Sequence, residues 1–319
     1  MKALAAILLF IGSMGLPADD AASSRVAADR ARPTPPGQPA DGPGGSAYSH
    51  AGIRETVHGE GGQQFWITEP ARPSPKKAPL VIFLHGYSAM TPDSYRGWVD
   101  HLAKRGNIVV YPRYQETLLT PPADYFPNIV ASVKEALAVL GKRGHAAPDL
   151  ERVAVVGHSV GGVEAANFAG AAAAGNLPPP KAVMFVQPGQ GIKRGIEFVT
   201  LDDCKAIRAE TQLLFVVGAD DGIVGAVCAR RIWRDTKHVR DRSFVTMQSD
   251  DHGSPPLRAD HLSPVSWTSE VTDALDWFGH WKMFDGLLTA AFSDKPFTVD
   301  PGMGAWSDGV PVKPLEVER

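Results

Sequence analysis

The stretch that decides the fold is Arg152–Gly175, RVAVVGHSVGGVEAANFAGAAAAG. A β-branched run, Val153–Val156, gives way to Gly157-His158-Ser159-Val160-Gly161-Gly162, and a helical pattern built from small residues follows. Val and Ile favour a strand that is covered on both faces, and alanine-rich segments favour a helix. The junction therefore reads as a sharp strand-to-helix turn with Ser159 at its apex. Glycines two before and two after the serine, Gly157 and Gly161, let strand and helix approach, and Gly162, Ala165 and Ala166 extend that close packing.

Outward from this turn, strand-like and helix-like segments alternate. PLVIFLHG (79–86), NIVVYPRY (107–114), KAVMFVQP (181–188), TQLLFVVG (211–218) and RSFVTMQS (242–249) read as short buried strands. IRETVHG and QQFWITE flank Glu60-Gly61-Gly62 as an opening hairpin. Helices are expected over SYRGWVDHLAKRG, over DYFPNIVASVKEALAVLGKRG, from about Val224 to Arg234 and from about Val265 to Phe284. Such alternation predicts an α/β fold, a mostly parallel central sheet with helices on both faces and ligands at the carboxyl ends of its strands. Only about twenty residues separate KAVMFVQP from TQLLFVVG, room for one short helix near Asp203–Arg208 and not for a large cap domain.

Those carboxyl ends carry the chemistry. Ser159 follows one strand, Ala219-Asp220-Asp221-Gly222 a second, and Ser249-Asp250-Asp251-His252-Gly253 a third. Serine becomes a nucleophile when a base removes its proton, imidazole does so at neutral pH, and a carboxylate fixes the imidazole tautomer. Ser159, His252 and Asp221 are the expected catalytic set. Asp220 competes with Asp221, and His261 with His252, which is preferred because it lies directly after the strand. The backbone N–H groups of Val160, at the helix start, and Tyr87, after the PLVIFLHG strand, are the expected oxyanion donors. His158 is read as packing beneath the turn. The DDH…DH run matches no compact ligand set, so no metal and no cofactor is expected.

On HGYSAMTPDSYRGWVDHLAKRGNIVVYP together with GHSVGG, the chain resembles the serine α/β-hydrolases, and within them the cutinase-like polyester hydrolases and dienelactone-hydrolase-like esterases. The resemblance spans roughly Pro79 to Phe284. It implies an acyl-enzyme ester hydrolase whose elbow serine is Ser159, whose acid is Asp221, whose base is His252 and whose oxyanion loop donor is Tyr87. The cutinase-like enzymes pin their histidine loop with a C-terminal disulfide, and no cysteine follows Cys228 here. A peptidase or acyltransferase shares the same acyl-enzyme chemistry, and a non-catalytic binding protein on this scaffold would require a broken triad.

The 319 residues are 44 % hydrophobic with a formal net charge of −3, enough for a large core and without a basic surface for nucleic acid. Lys2 precedes an apolar run of about 14 residues, shorter than the roughly 20 a bilayer span needs. Residues 1–22 are thus expected to be a signal peptide, cleaved near Ala18 or Ala22, giving an exported protein (periplasmic or secreted) with no membrane span afterwards. The Pro/Gly-rich segment 23–47 is expected to be a disordered linker. A single domain, 48–319, follows, ending in a strap over about 286–319 that carries Trp306, Val310, Val312 and Leu315. In an exported protein Cys204 and Cys228 suggest one disulfide, with two inert buried thiols as the alternative. The expected partner is a small-molecule or polymeric ester.

Overall fold

A computed structural model describes residues 32–319 apart from 176, 194–195 and 267–271. The expected signal peptide, 1–22, lies outside the described residues. Strands β1 (Gly52–His58) and β2 (Phe65–Ala71) form the opening hairpin, paired antiparallel from Gly52↔Ala71 to His58↔Phe65. Then come β3 (Lys77–Leu84), helix α1 (Arg96–Lys104), β4 (Ile108–Pro112), α2 (Tyr125–Leu140), β5 (Ala147–His158) and α3 (Val160–Ala172). Next are β6 (Ala182–Val186), the two-residue strands β7 (Ile192–Lys193) and β8 (Ile196–Glu197), β9 (Gln212–Gly218), α4 (Val227–Asp235) and β10 (Arg242–Met247). Helix α5 (Trp281–Phe292), led in by a π-helical segment Leu275–His280, and the edge strand β11 (Glu316–Glu318) complete the chain.

The main sheet has the order β1-β2-β4-β3-β5-β6-β9-β10-β11. From β4 to β10 all neighbours are parallel, and the edges are antiparallel through β2 on one side and β11 on the other. This is the α/β-hydrolase arrangement. Why the strands read as continuous apolar runs is visible in β3. Leu80, Ile82 and Leu84 enter one core layer with Tyr125, Ile129, Val163 and Phe168 of α2 and α3. Val81 and Phe83 enter the opposite layer with Trp98 and Leu102 of α1 and Leu287 of α5. Each face is covered from Leu80 to Leu84, so no position there can be polar without cost. Among the described residues, the connection between β6 and β9 holds the β7–β8 hairpin and a one-turn helix at Cys204–Ala206, and no large cap. No helix among the described residues is long and apolar enough to cross a membrane.

Three expectations are corrected. First, the described part of the linker, 32–47, is not disordered but laid on the body. Thr34 and Ser307 exchange hydrogen bonds, Ser254 N–H donates to the Pro33 carbonyl, Trp277 Nε1–H donates to that of Pro36, and the Gly44 N–H donates to Asp285 at 2.8 Å. A Pro/Gly strip has few side chains to bury, yet its backbone groups find partners and small residues slot into the seam beside α5. Second, Cys204 and Cys228 form no disulfide, and each is a buried thiol. The Cys204 thiol donates to the Asp202 carbonyl, and burial raises its pKa to about 11, which keeps it protonated and inert. Third, the last helix runs to Phe292, so the terminal strap begins after it rather than near 286. Met303, Trp306, Val312 and Leu315 of the strap are buried in the same core layer as α1 and α5, while Val310 stays exposed.

Candidate active site

Ser159 sits between β5 and α3 with φ 56° and ψ −121°, left-handed backbone that a serine adopts only under constraint. The constraint is the close approach expected from the glycines. A Cβ at Gly157 would run into the Gly161 carbonyl, and one at Gly161 into the carbonyls of Leu84 and His85 at the end of β3. At Gly162 it would meet Pro188 at 2.8 Å. The turn is thus wedged against the β3 loop, with Ser159 N–H donating to Val186 of β6 at 3.0 Å.

His261, not His252, meets the serine. Its Nε2 lies 3.0 Å from Ser159 Oγ and its Nδ1 2.8 Å from Asp221 Oδ2. A carboxylate can only accept, so Nδ1 carries the proton and bare Nε2 accepts the serine hydroxyl. Asp221 Oδ1 accepts the N–H groups of Ile223 and Val224 at 2.9 and 3.0 Å. Burial alone would raise this carboxyl, but the Val224 N–H and the His261 contact outweigh it and hold its pKa below the ordinary value. Asp220 is exposed, its backbone N–H tied to the Ala259 carbonyl.

The correction at His252 has a specific cause. After β10 the chain makes a closed excursion, with Asp250 and Leu257 exchanging backbone bonds at 2.9 Å in both directions. The buried Asp250 carboxylate anchors that excursion to the strap, accepting from Trp306 Nε1, Lys313 N–H and His252 N–H. His252 is carried outward to Asp308, 2.8 Å away, and half exposed. The chain returns to the sheet at Ala259, placing His261 over the serine. The turn residues Gly253, Pro255 and Pro256 were the available signal for such an excursion.

Val160 opens α3, and the N–H of a helix's first residue has no intrahelical acceptor. In the β3 loop the Gly86 carbonyl accepts from Ala89 N–H at 3.1 Å and lies 2.6 Å from His85 Nδ1. Because a peptide is planar and trans, Tyr87 N–H points away from that anchored carbonyl. Burial lowers the pKa of His85 to about 4, so the ring is neutral at neutral pH. It stacks on Tyr114, whose hydroxyl donates to the His85 carbonyl.

Two further residues brace the loops around Ser159 and were not singled out from sequence as site residues. Gln187, fully buried with φ 45°, donates from Nε2 to the Asp260 carbonyl at 2.8 Å and to Ser263 Oγ at 3.2 Å. Tyr95 lies beneath the β3 loop and meets His158. A positive φ at a buried glutamine leaves no mark in composition or periodicity. Tyr87, its hydrogen-bond partner Leu118 and the adjoining Leu119, Ile223 beside Asp221 and Leu262 beside His261 are exposed large apolar residues, Leu119 to 90 %. Tyr87 also contacts Phe198 edge to face and donates its hydroxyl to the Leu118 carbonyl. Among the described residues no group of three or more His, Cys, Asp or Glu could hold a metal ion.

Compared with known proteins, residues 55–200 match the family model described as Chlorophyllase. The matched segment carries the Tyr87 loop and the Ser159 elbow and stops before Asp221 and His261. No curated protein matches the sequence at a significant level. The sheet is that of an α/β-hydrolase fold, and over residues 55–200 the chain is similar to a serine α/β-hydrolase-type family of ester hydrolases.

Proposed function

We propose that this α/β-hydrolase is an exported serine hydrolase that cleaves carboxylic esters through an acyl-enzyme. The observation that carries the reading is the continuous line Ser159 Oγ, His261, Asp221 at the carboxyl edge of the sheet. Ser159 Oγ attacks the ester carbonyl carbon while His261 Nε2 takes its proton. The carbonyl π electrons become an oxyanion, met by the N–H groups of Val160 and Tyr87. The oxyanion collapses, the carbon–oxygen bond to the alcohol breaks, and the proton on His261 passes to the departing alkoxide. Water, deprotonated by the same imidazole, then releases the acid and restores the serine. Throughout, Asp221 orients Nδ1–H and stabilises the imidazolium.

The exposed apolar rim supports substrates with an apolar acyl or alcohol part, because such a part leaves water on binding. Export is supported by Lys2, the short apolar run and the small residues before Ala22.

Release of p-nitrophenol from acetate, butyrate, octanoate and palmitate esters tests the reading, with Ser159→Ala beside the wild type, and chlorophyll, suggested by the name of the matched family, is tried separately with its products followed by chromatography. Turnover is expected in the wild type, rising with chain length, and a loss of at least about 10³-fold in the variant. A variant as active as the wild type would overturn it.

A further inference from the structure

The base and the oxyanion loop stand on opposite sides of the serine and come from distant parts of the chain. A buried chain of hydrogen bonds passes between them beneath the elbow. Gly86 N–H donates to Tyr95 Oη at 2.9 Å. Tyr95 Oη lies 2.7 Å from His158 Nδ1. His158 Nε2 lies 2.9 Å from the carbonyl oxygen of His261.

The direction of every bond is fixed by chemistry. A carbonyl can only accept, so His158 Nε2 carries the proton, Nδ1 is bare, and Tyr95 O–H must donate to it. Both side chains are buried, Tyr95 wholly and His158 to within 3 %. Burial first, and the charge of His261 second, depress the pKa of His158 well below the ordinary value, so it stays neutral with one donor and one acceptor. Burial likewise raises the Tyr95 hydroxyl, which keeps its proton. Neither group can exchange these partners for water, so each missing link leaves a buried polar group unpaired.

We infer that Tyr95 and His158 are positioning residues that hold the Tyr87 loop and the His261 loop in one fixed geometry. The inference rests on the reading of Ser159 and His261 as nucleophile and base. It goes beyond that reading by giving the residue before the nucleophile a task in the rate. Gln187, donating to the carbonyl next to that of His261, braces the same loop from the β6 side.

Three variants separate the links. Tyr95→Phe removes the hydroxyl from both of its bonds. His158→Leu removes donor and acceptor together. His158→Gln keeps a donor near the place of Nε2 and loses the ring acceptor. A displacement of about 1 Å at a reacting group can cost about 10²-fold, so His158→Leu is expected to lower kcat about 10- to 100-fold with KM within about threefold. Tyr95→Phe should lose about tenfold, and His158→Gln should recover most of the loss in His158→Leu. The acidic limb of the kcat/KM profile should move in His158→Leu, which a merely structural role would not cause. The downfield proton resonance of His261 Nδ1–H, assigned by its absence in His261→Ala, should broaden or vanish in the same variant.

Tyr95→Phe and His158→Gln carry the test should His158→Leu fail to fold. Wild-type rates and pH profiles in Tyr95→Phe and in whichever His158 variants fold, with an unchanged resonance, would overturn the inference while leaving a Ser159-dependent esterase intact. Equal damage in His158→Gln and His158→Leu would also overturn it, because the donor to His261 would then be irrelevant. A wild type inactive on every ester removes the functional reading instead, and the resonance still reports whether His158 sets the base.

Discussion

Replacing each of two histidines by alanine separates the geometry from the order of residues in the chain. His261 has both ring nitrogens committed, one to Ser159 and one to Asp221, and only 6 % of its surface reaches solvent. In the proposed reaction His261 takes the serine proton and returns it to the leaving alcohol, and His261→Ala removes it. General acid–base assistance of this kind contributes about 10²–10⁴-fold. The expected fall in kcat/KM therefore corresponds to about 3–5.5 kcal/mol of transition-state stabilisation. Asp221 keeps its bonds from Ile223 and Val224, so the fold should survive the change. His252→Ala removes a half-exposed side chain whose partner is the exposed Asp308, and such pairs contribute little, so the rate should stay within about threefold. The assay is hydrolysis of p-nitrophenyl butyrate by both variants, alongside circular dichroism melts to show that each is folded. A folded His261→Ala within tenfold of the wild type, or a His252→Ala that loses about 10²-fold, would refute the placement of the base.

Asp221→Asn keeps the shape but offers an amide that can present the wrong partner to Nδ1. A loss of about 10⁴-fold in kcat is expected, measured on the same ester at neutral pH. Gly161→Ala would drive a methyl group into the carbonyls of Leu84 and His85, backbone that cannot yield. Overpacking of that kind costs about 1–3 kcal/mol, seen as a lowered urea midpoint, whereas Gly37→Ala, with nothing within 4 Å, should match the wild type. Glu164, buried on α3 and accepting from Asn167, has its carboxyl raised to about 8 by burial, with Asp202 adding to the effect. A carboxyl whose pKa is raised on folding favours the folded state below its ordinary value of 4.5 and loses that contribution as pH rises through 8. Melting curves should therefore show Glu164→Gln more stable than the wild type at about pH 9, by on the order of a few kcal/mol, and level with it at about pH 4. Equal differences at both pH values would contradict this.

The elbow was readable because sterics ties its sequence to its shape. Only glycine fits where Gly157 and Gly161 touch carbonyl groups, and only a strand covered twice is written Val-Ala-Val-Val. The two-layer core was readable in the same way from Leu80–Leu84 and its counterparts. The base was not, because distance along a loop says nothing about where the loop folds back. His252 is nearer the strand in sequence, yet the anchoring of Asp250 by Trp306 and Lys313, more than fifty residues on, decides that His261 arrives first in space. A similar blindness misled the reading of 32–47. Composition reports what a segment can bury of itself, and the groove that receives its backbone belongs to other parts of the chain. Cys204 and Cys228 failed as a bridge for the converse reason, since a core this large has no need of one.

The proline-rich strip has a practical consequence for the boundaries of the folded unit. Trp277 and Phe278 are partly buried, and Pro36 lies against them, its carbonyl bonded to Trp277 Nε1. A fragment begun at Tyr48, where composition suggests that the body starts, would lay these rings bare and leave Asp285 without its Gly44 donor. The bared rings would form an adhesive surface of the sort that leads to aggregation. Cleavage at the proposed leader site near Ala18 or Ala22 would, by contrast, keep the strip attached, so the proposed processing site and the shortest fragment that keeps these contacts are separate boundaries. Expression trials should begin ahead of Arg32.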